Sequence, residues 1–357
     1  MLRDPGESPR RALDRPGTVL SVGDATPFVA PHDGLGHRLL LGGAKVTLRA
    51  TLLVSPRPAV WLLRRAFAAG GAATARGLAA HAPEGVVGAY DEPYGDEPDM
   101  VLDVYRPAAS KEILPTVVWI HGGGFVGGTK DELRGWFTLI SSKGYAVVAP
   151  RYSLAPGRRY PAPVRQLMQV FPYLDANGAR LGLDPGRVVV CGDSAGAQLA
   201  AQTVALVTTP GYADAVGIAP TVEPDRLRGV VLACGPFDLR LLGGANRIVA
   251  AVGWAYSGRR RYLDDPRFAT MSVADHLSPA FPPALVTVGN ADPLRPHSEL
   301  LVERLRALGA EPETLFFPAG HAPPLGHEYQ FDLDTDAGRL FLERMLAFLG
   351  ERLSPAR

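Results

Sequence analysis

The chain has 357 residues, 46% of them apolar and 20% charged, with a formal net charge of +1. That length suits one large α/β domain with accessories or two small domains, and so even a charge balance argues against nucleic acid or an acidic macromolecule as partner. Residues 1–85 nevertheless carry 11 Lys/Arg against 6 Asp/Glu. The plain reading is solvated surface on an N-terminal appendage; the sharper one is a basic face that meets a membrane surface or lipid-like substrate.

Met1-Leu2-Arg3-Asp4-Pro5 opens without the basic-then-apolar pattern of a secretory leader. The most apolar early region, Ala50 to Phe67, is broken by Pro56, Arg57, Pro58, Arg64 and Arg65, and a spanning helix needs about 20 mostly apolar residues. Cys191 and Cys234 each follow a β-branched or aliphatic run, VVVC and VVLAC. Both read as buried free thiols in a reducing compartment rather than as a disulfide framework. A cytoplasmic location is therefore expected.

In chain order, residues 1–35 are rich in Pro, Gly and Arg and are expected to be a disordered tail, followed by helices over 36–85. From about residue 100, short apolar runs predict strands at Leu102–Arg106, Thr116–Ile120, Ala146–Pro150, Arg187–Cys191, Val230–Cys234, Ala284–Val288 and Thr314–Phe317. Helical periods fall between them at Pro163–Ala176, Gly196–Leu206, Ser298–Leu308 and Gly338–Arg352. Such alternation predicts an α/β fold with a mostly parallel central sheet flanked by helices. Ligands of such sheets bind at the carboxyl ends of the strands. Residues 236–278 interrupt the rhythm with helix and loop, so they and 36–85 are expected to cap the site, leaving 86–357 as the catalytic domain. The Arg259–Arg261 run reads as a solvated face.

Two loops at predicted strand ends carry chemistry. His121-Gly122-Gly123-Gly124-Phe125 follows Val117–Ile120, and Gly192-Asp193-Ser194-Ala195-Gly196 follows Val188–Cys191. The second is a strand–turn–helix G-x-S-x-G elbow, which exposes a nucleophilic serine, Ser194. The glycines of the first let bare backbone N–H groups converge; with the N–H of Ala195, Gly123 and Gly124 are candidates to hold an oxyanion. His121 reads as a partner that stiffens its loop. A serine hydroxyl needs a base and an orienting acid, in the order Ser, acid, His for this fold. Asp292 lies just past Ala284–Val288, where its carboxylate could face an imidazole. Both His321 and His327 occupy the loop after Thr314–Phe317; His327, followed two residues later by Tyr329 and then by the last helix, is favoured.

Together these motifs resemble the hormone-sensitive-lipase-like family of α/β-hydrolases, as do Arg151-Tyr152-Ser153-Leu154-Ala155-Pro156 and Tyr160-Pro161-Ala162-Pro163. The resemblance runs from about residue 86 to the C-terminus, with the N-terminal helices matching that family's cap. It implies a cofactor-free carboxylesterase that acts on small esters of short or medium acyl chains. Residue matching then gives Ser194, Asp292 and His327 as the triad, and Gly123, Gly124 and Ala195 as the oxyanion hole. The chain departs from the pattern at Gly157, where Glu is usual, at Gln166, where Asp is frequent, and at His327-Glu328-Tyr329 in place of H-G-F. An amide or formamide hydrolase, an acyltransferase and a non-catalytic binding relative are the alternatives.

Other motifs fail on their own terms. Gly122–Gly127 spells G-x-G-x-x-G, but the next strand ends in Arg151 instead of a ribose-binding acid. His327-Glu328 opens a zinc H-E-x-x-H whose last position is Phe331, and the calcium-like run from Asp332 has Ala337 where glycine is required. No metal is expected, and those acids read as caps of the last helix. Trp61, Phe67, Trp136, Trp254 and Tyr256 could line an acyl or alcohol pocket, although any single such aromatic is more often core.

Overall fold

A computed structural model describes residues 55–242 and 247–354. The expected tail and residues 36–54 of the expected cap lie outside the described residues. After a helix at Arg57–Ala80 the strands are β1 (Val86–Pro93), β2 (Val101–Pro107), β3 (Leu114–Ile120), β4 (Ala146–Pro150), β5 (Leu183–Asp193), β6 (Leu227–Ala233), β7 (Ala284–Val288) and β8 (Glu313–Phe316). They form one eight-stranded sheet in the order β1-β2-β4-β3-β5-β6-β7-β8. β2 is antiparallel to both β1 and β4, and from β4 to β8 every pairing is parallel.

The strand period of two sorts this sheet's side chains into separate cores on its two faces. Val118, Ile120, Val148, Val190, Val230 and Val286 join one cluster, with helices Ala162–Met168, Val170–Leu181, Ala195–Thr208 and Arg295–Ala307. Their neighbours Val117, Trp119, Val147, Val189, Val231 and Leu285 join the other, with helices Arg134–Ser141 and Asp336–Leu353. Fully burying one such valine or leucine is worth roughly 1.5–3 kcal/mol. This double coverage explains why the central strands read as continuous apolar runs.

Several expectations need correction. β1 was not foreseen: five of its eight residues are exposed, including Val87 and Tyr90, and none is buried, so it has no buried alternation to read. β5 runs through Cys191 to Asp193, delivering the elbow directly, and β6 stops one residue short of Cys234. The helix expected over Pro163–Ala176 is two helices joined at Gln169. The last helix is capped by the Thr335 hydroxyl, which accepts from the Gly338 N–H at 3.1 Å; Asp336 sits in its first turn and the acids before it do not cap.

One buried ion pair ties the edge strands to the loop after β3. Lys130, which opens the turn Lys130–Leu133, is buried and places its ammonium 2.6 Å from Asp103 on β2 and 3.0 Å from Asp91 on β1. Asp103 also accepts from the Tyr105 hydroxyl at 3.0 Å and the Asp91 N–H at 2.9 Å. Burial pulls the lysine down, but its bonds to Asp103 and Asp91 outweigh that and hold it above its ordinary value. Lys130→Met strands a buried carboxylate and is expected to cost about 3–5 kcal/mol in urea denaturation, while adding Asp103→Asn to it returns part of the loss.

Candidate active site

Ser194 stands between β5 and the helix Ala195–Thr208 with φ 52° and ψ −122°, a conformation costly for a non-glycine residue. The turn is possible because its flanks lack side chains. A Cβ on Gly196 would lie 2.0 Å from the Ile120 carbonyl oxygen, and one on Gly192 would lie 2.4 Å from that of Gly196. The Ser194 N–H donates to the Ala233 carbonyl at 2.7 Å, which fixes the elbow against the end of β6.

His327 Nε2 lies 2.8 Å from Ser194 Oγ, and its Nδ1 lies 2.8 Å from Asp292 Oδ2. The buried Asp292 carboxylate accepts also from the Leu294 N–H at 2.8 Å. With Nδ1–H donating to Asp292, Nε2 is free to accept from the serine hydroxyl. Burial opposes the imidazolium, but the neighbouring Cys234 sulfur and the Asp292 carboxylate outweigh it, raising His327 well above the usual histidine range. Cys234 is itself pushed up, chiefly by burial.

His321 is held elsewhere: its ring packs on Phe317 at 4.8 Å and its carbonyl accepts from Asn290 Nδ2 at 3.1 Å. Asn290 also accepts from the Leu325 N–H at 2.8 Å, so it pins the histidine loop to the end of β7. Cys234, Asp292 and His327 bring potential ligand atoms within 4.8 Å of one another. Both imidazole nitrogens are already engaged there, so a cation would compete with the Ser194–His327–Asp292 chain.

The glycine loop lies beside the elbow. Gly123 has φ 112°, and a Cβ there would fall 2.1 Å from the Gly127 carbonyl oxygen. Among the described residues the N–H groups of Gly123, Gly124 and Ala195 meet no acceptor. Asp193, whose role the sequence did not disclose, joins the two loops: its carboxylate accepts from Trp119 Nε1 and the Gly122 N–H, each at 2.8 Å. His121 stacks on Tyr152 at 4.5 Å and bonds the Gly122 carbonyl at 2.8 Å. Burial takes His121 down to about 4, so it stays neutral and stiffens the loop.

Two segments press on the glycine loop from outside the sheet. From helix Arg57–Ala80, Arg64 donates to the carbonyls of Val126 at 2.6 Å and Ala155 at 3.0 Å. Phe67 stands 3.4 Å from where a Gly124 Cβ would be. From helix Arg247–Ser257, Tyr256 stacks on Phe125 with ring centres 4.3 Å apart. Gln198 and Gln202 of the elbow helix bond the carbonyls of Met271 and Thr270 at 2.9 and 3.4 Å, fastening the same segment from below. Of the other aromatics, Trp136 is core, Trp254 is half-buried, and Trp61 is exposed beneath the Arg65 guanidinium. Arg259 pairs with Asp265 at 2.9 Å. Gln166, a departure from the family pattern, accepts from the Ser153 N–H and donates to the Ser153 hydroxyl, both at 2.8 Å.

A mostly parallel sheet that presents serine, histidine and aspartate on adjoining loops at its carboxyl edge defines an α/β-hydrolase. The chain belongs to the alpha/beta hydrolase fold family, whose model matches residues 117–321, and the resemblance to hormone-sensitive-lipase-like enzymes holds. Carboxylesterase NlhH of Mycobacterium tuberculosis is 29% identical over 266 residues, covering 71% of this chain and 79% of that protein. A putative alpha/beta hydrolase of Acanthamoeba polyphaga mimivirus is 25% identical over 58% of this chain, which spans 60% of that protein's length. Kynurenine formamidase of Danio rerio is 33% identical over 151 residues, 42% of this chain and 46% of that protein. Esterase B of Lactobacillus rhamnosis superposes with a TM-score of 0.69 at 23% identity, covering 83% of this chain and 96% of that one, a likeness of fold. Among the described residues no helix is long and apolar enough to cross a membrane.

The elbow's tolerance is directly measurable. Gly196→Ala overpacks the Ile120 carbonyl and is expected to lower stability by about 1–3 kcal/mol in thermal denaturation, or to displace Ser194 with loss of turnover.

Proposed function

We propose that the protein is a carboxylesterase that cleaves small esters of short to medium acyl chain through a Ser194–His327–Asp292 triad. The unbroken pair of 2.8 Å contacts from Asp292 through His327 to Ser194 carries this reading. In this reading His327 takes the hydroxyl proton through Nε2 as Ser194 attacks the ester carbonyl, and Asp292 holds Nδ1–H and the imidazolium that forms. The N–H groups of Gly123, Gly124 and Ala195 receive the oxyanion, each typically worth about 10²–10³ in rate. His327 then hands its proton to the leaving alcohol, and water repeats the sequence on the acyl-enzyme. Helix Arg57–Ala80 and residues 236–278 serve as the cap, with Phe67 over the glycine loop limiting the room beside the nucleophile.

The similarity to a formamidase favours a second reading, hydrolysis of an aryl formamide by the same residues. p-Nitrophenyl esters from acetate to palmitate, assayed beside an aryl formamide, separate the two. Turnover of the short esters is expected to fall on the order of 10⁴-fold or more in Ser194→Ala and His327→Ala, and to persist in His321→Ala. Wild-type turnover confined to the formamide would replace the esterase reading, and a folded wild type inert on both would overturn hydrolysis.

The base must be unprotonated to act, and His327 is raised. Activity is therefore lost as pH falls through that raised value, and the acid limb of kcat/KM is expected above the ordinary histidine value of about 6.5. A pH–rate profile in a constant-ionic-strength buffer series checks this.

A further inference from the structure

The residue after His327 is held in a conformation its side chain does not favour. Glu328 has φ 60° and ψ 29°, a left-handed geometry that glycine would adopt more cheaply. The strained backbone aims its carboxyl group inward: Glu328 Oε1 lies 4.0 Å from His327 Nε2, the nitrogen that faces Ser194. The same oxygen is 3.0 Å from where a Cβ on Gly122 would stand, beside the Asp193 carboxylate. His327 thus has one carboxylate bonded at Nδ1 and another beside Nε2.

We propose that Glu328 is a positioning residue for the base, its carboxylate steadying the imidazolium on the Nε2 side while the proton is in transit. The inference rests on the triad reading above. It accounts for a strained glutamate where glycine would suffice, because only a side chain can bring charge to that edge of the ring. At about 4 Å, opposite charges attract appreciably even when half-solvated. Neutral imidazole gains nothing comparable, so the interaction belongs to the charged state.

Other charged and titratable groups face this carboxylate from each neighbouring element. Asp193, at the end of β5, is pushed up by burial and then by Glu328, whose carboxyl group it also meets through a hydrogen bond. Glu132, in the turn Lys130–Leu133, reaches about 7, mainly through burial, with Glu328 and Asp131 adding to the rise. Cys234, past the end of β6, also feels Glu328. A cleft of about 170 Å³ opens Glu328 toward His81 at the end of helix Arg57–Ala80 and toward Asp332 and Asp334. Apart from His81 and His327 these are acids or a thiol. Among these groups it is His327 whose positive charge, when it appears, stands 4.0 Å from the Glu328 carboxylate.

The test compares wild type with Glu328→Gln and Glu328→Gly in ester turnover across pH, in thermal denaturation and in NMR titration of the His327 imidazole, its signal assigned by loss in His327→Ala. Glu328→Gln is expected to move the acid limb of kcat/KM down by up to about one pH unit, tenfold in proton affinity. It should lower kcat several-fold with KM nearly unchanged, and lower the titration midpoint of His327 by the same amount. Glu328→Gly should show the same pH shift while melting higher than wild type, which dissociates the effect from a structural role. Superimposable pH profiles and His327 titrations in wild type and Glu328→Gln would overturn the proposal, as would a Glu328→Gly variant that melts lower. The titration reads Glu328 even if wild type turns over no ester, so failure of the esterase reading is seen separately.

Discussion

The close approach of β3 and β5 at their carboxyl ends is the contact on which the site depends. Gly196 lies so near the Ile120 and His121 carbonyls that no side chain fits between them. Across that seam the Asp193 carboxylate accepts from Trp119 of β3 and from Gly122 of the glycine loop. Neighbouring parallel strands thereby fix the two loops that flank Ser194. If β3 and β5 separated, Ser194 and the free N–H groups of Gly123 and Gly124 would lose their common frame. This constraint explains why the small residues cluster in both loops and why Asp193 is buried without a cationic partner: directional N–H donors hold it instead.

The outer contacts follow from the same seam. Once the glycine loop lies against the elbow, its outer face is available to packing from above. Arg64 satisfies two carbonyls there, one in the loop and one in the Tyr152–Pro156 segment, and Tyr256 stacks on Phe125. Gln198 and Gln202 tie the segment bearing Tyr256 and Thr270 back to the helix that begins beside Ser194. The helix-and-loop segments are therefore bonded to the parts of the molecule they overlie, and their placement is coupled to the geometry at Ser194. A displacement of either segment would be felt in the loop before it reached the core.

Much of this was legible in the sequence, for identifiable reasons. Buried parallel strands leave unbroken β-branched runs, and both chemistry-bearing loops lie where such runs end, so Ser194, Asp292 and the glycine loop stood out by position. His327 was separable from His321 only through the aromatic and helix that follow it; in space, Asn290 and Phe317 hold His321 away. β1 was hidden because an exposed edge strand buries no alternating face. Asp193 was hidden inside its own motif, its partner Trp119 being 74 residues away in sequence. Gln166 registered as a departure from a pattern, but its hydrogen bonds to Ser153 depend on a tertiary contact that no local spacing encodes.

Strain marks the functional edge more sharply than composition does. Among the described residues five non-glycine residues have positive φ: Asp91, Phe125, Ser194, Cys234 and Glu328. Four of these lie at the carboxyl edge of the sheet: in the glycine loop, at the elbow, just past β6, and beside His327. Each such residue costs on the order of 1–3 kcal/mol, which persists only where the surroundings over-determine the backbone. Those surroundings are the two cores on either face of the sheet, where β3, β5 and β6 bury their carboxyl-terminal halves. The distribution divides the labour: stability accumulates along the strands and is drawn down at their ends. There, backbone geometry places a hydroxyl, an aromatic ring, a thiol and a carboxylate around one imidazole and its neighbouring loop.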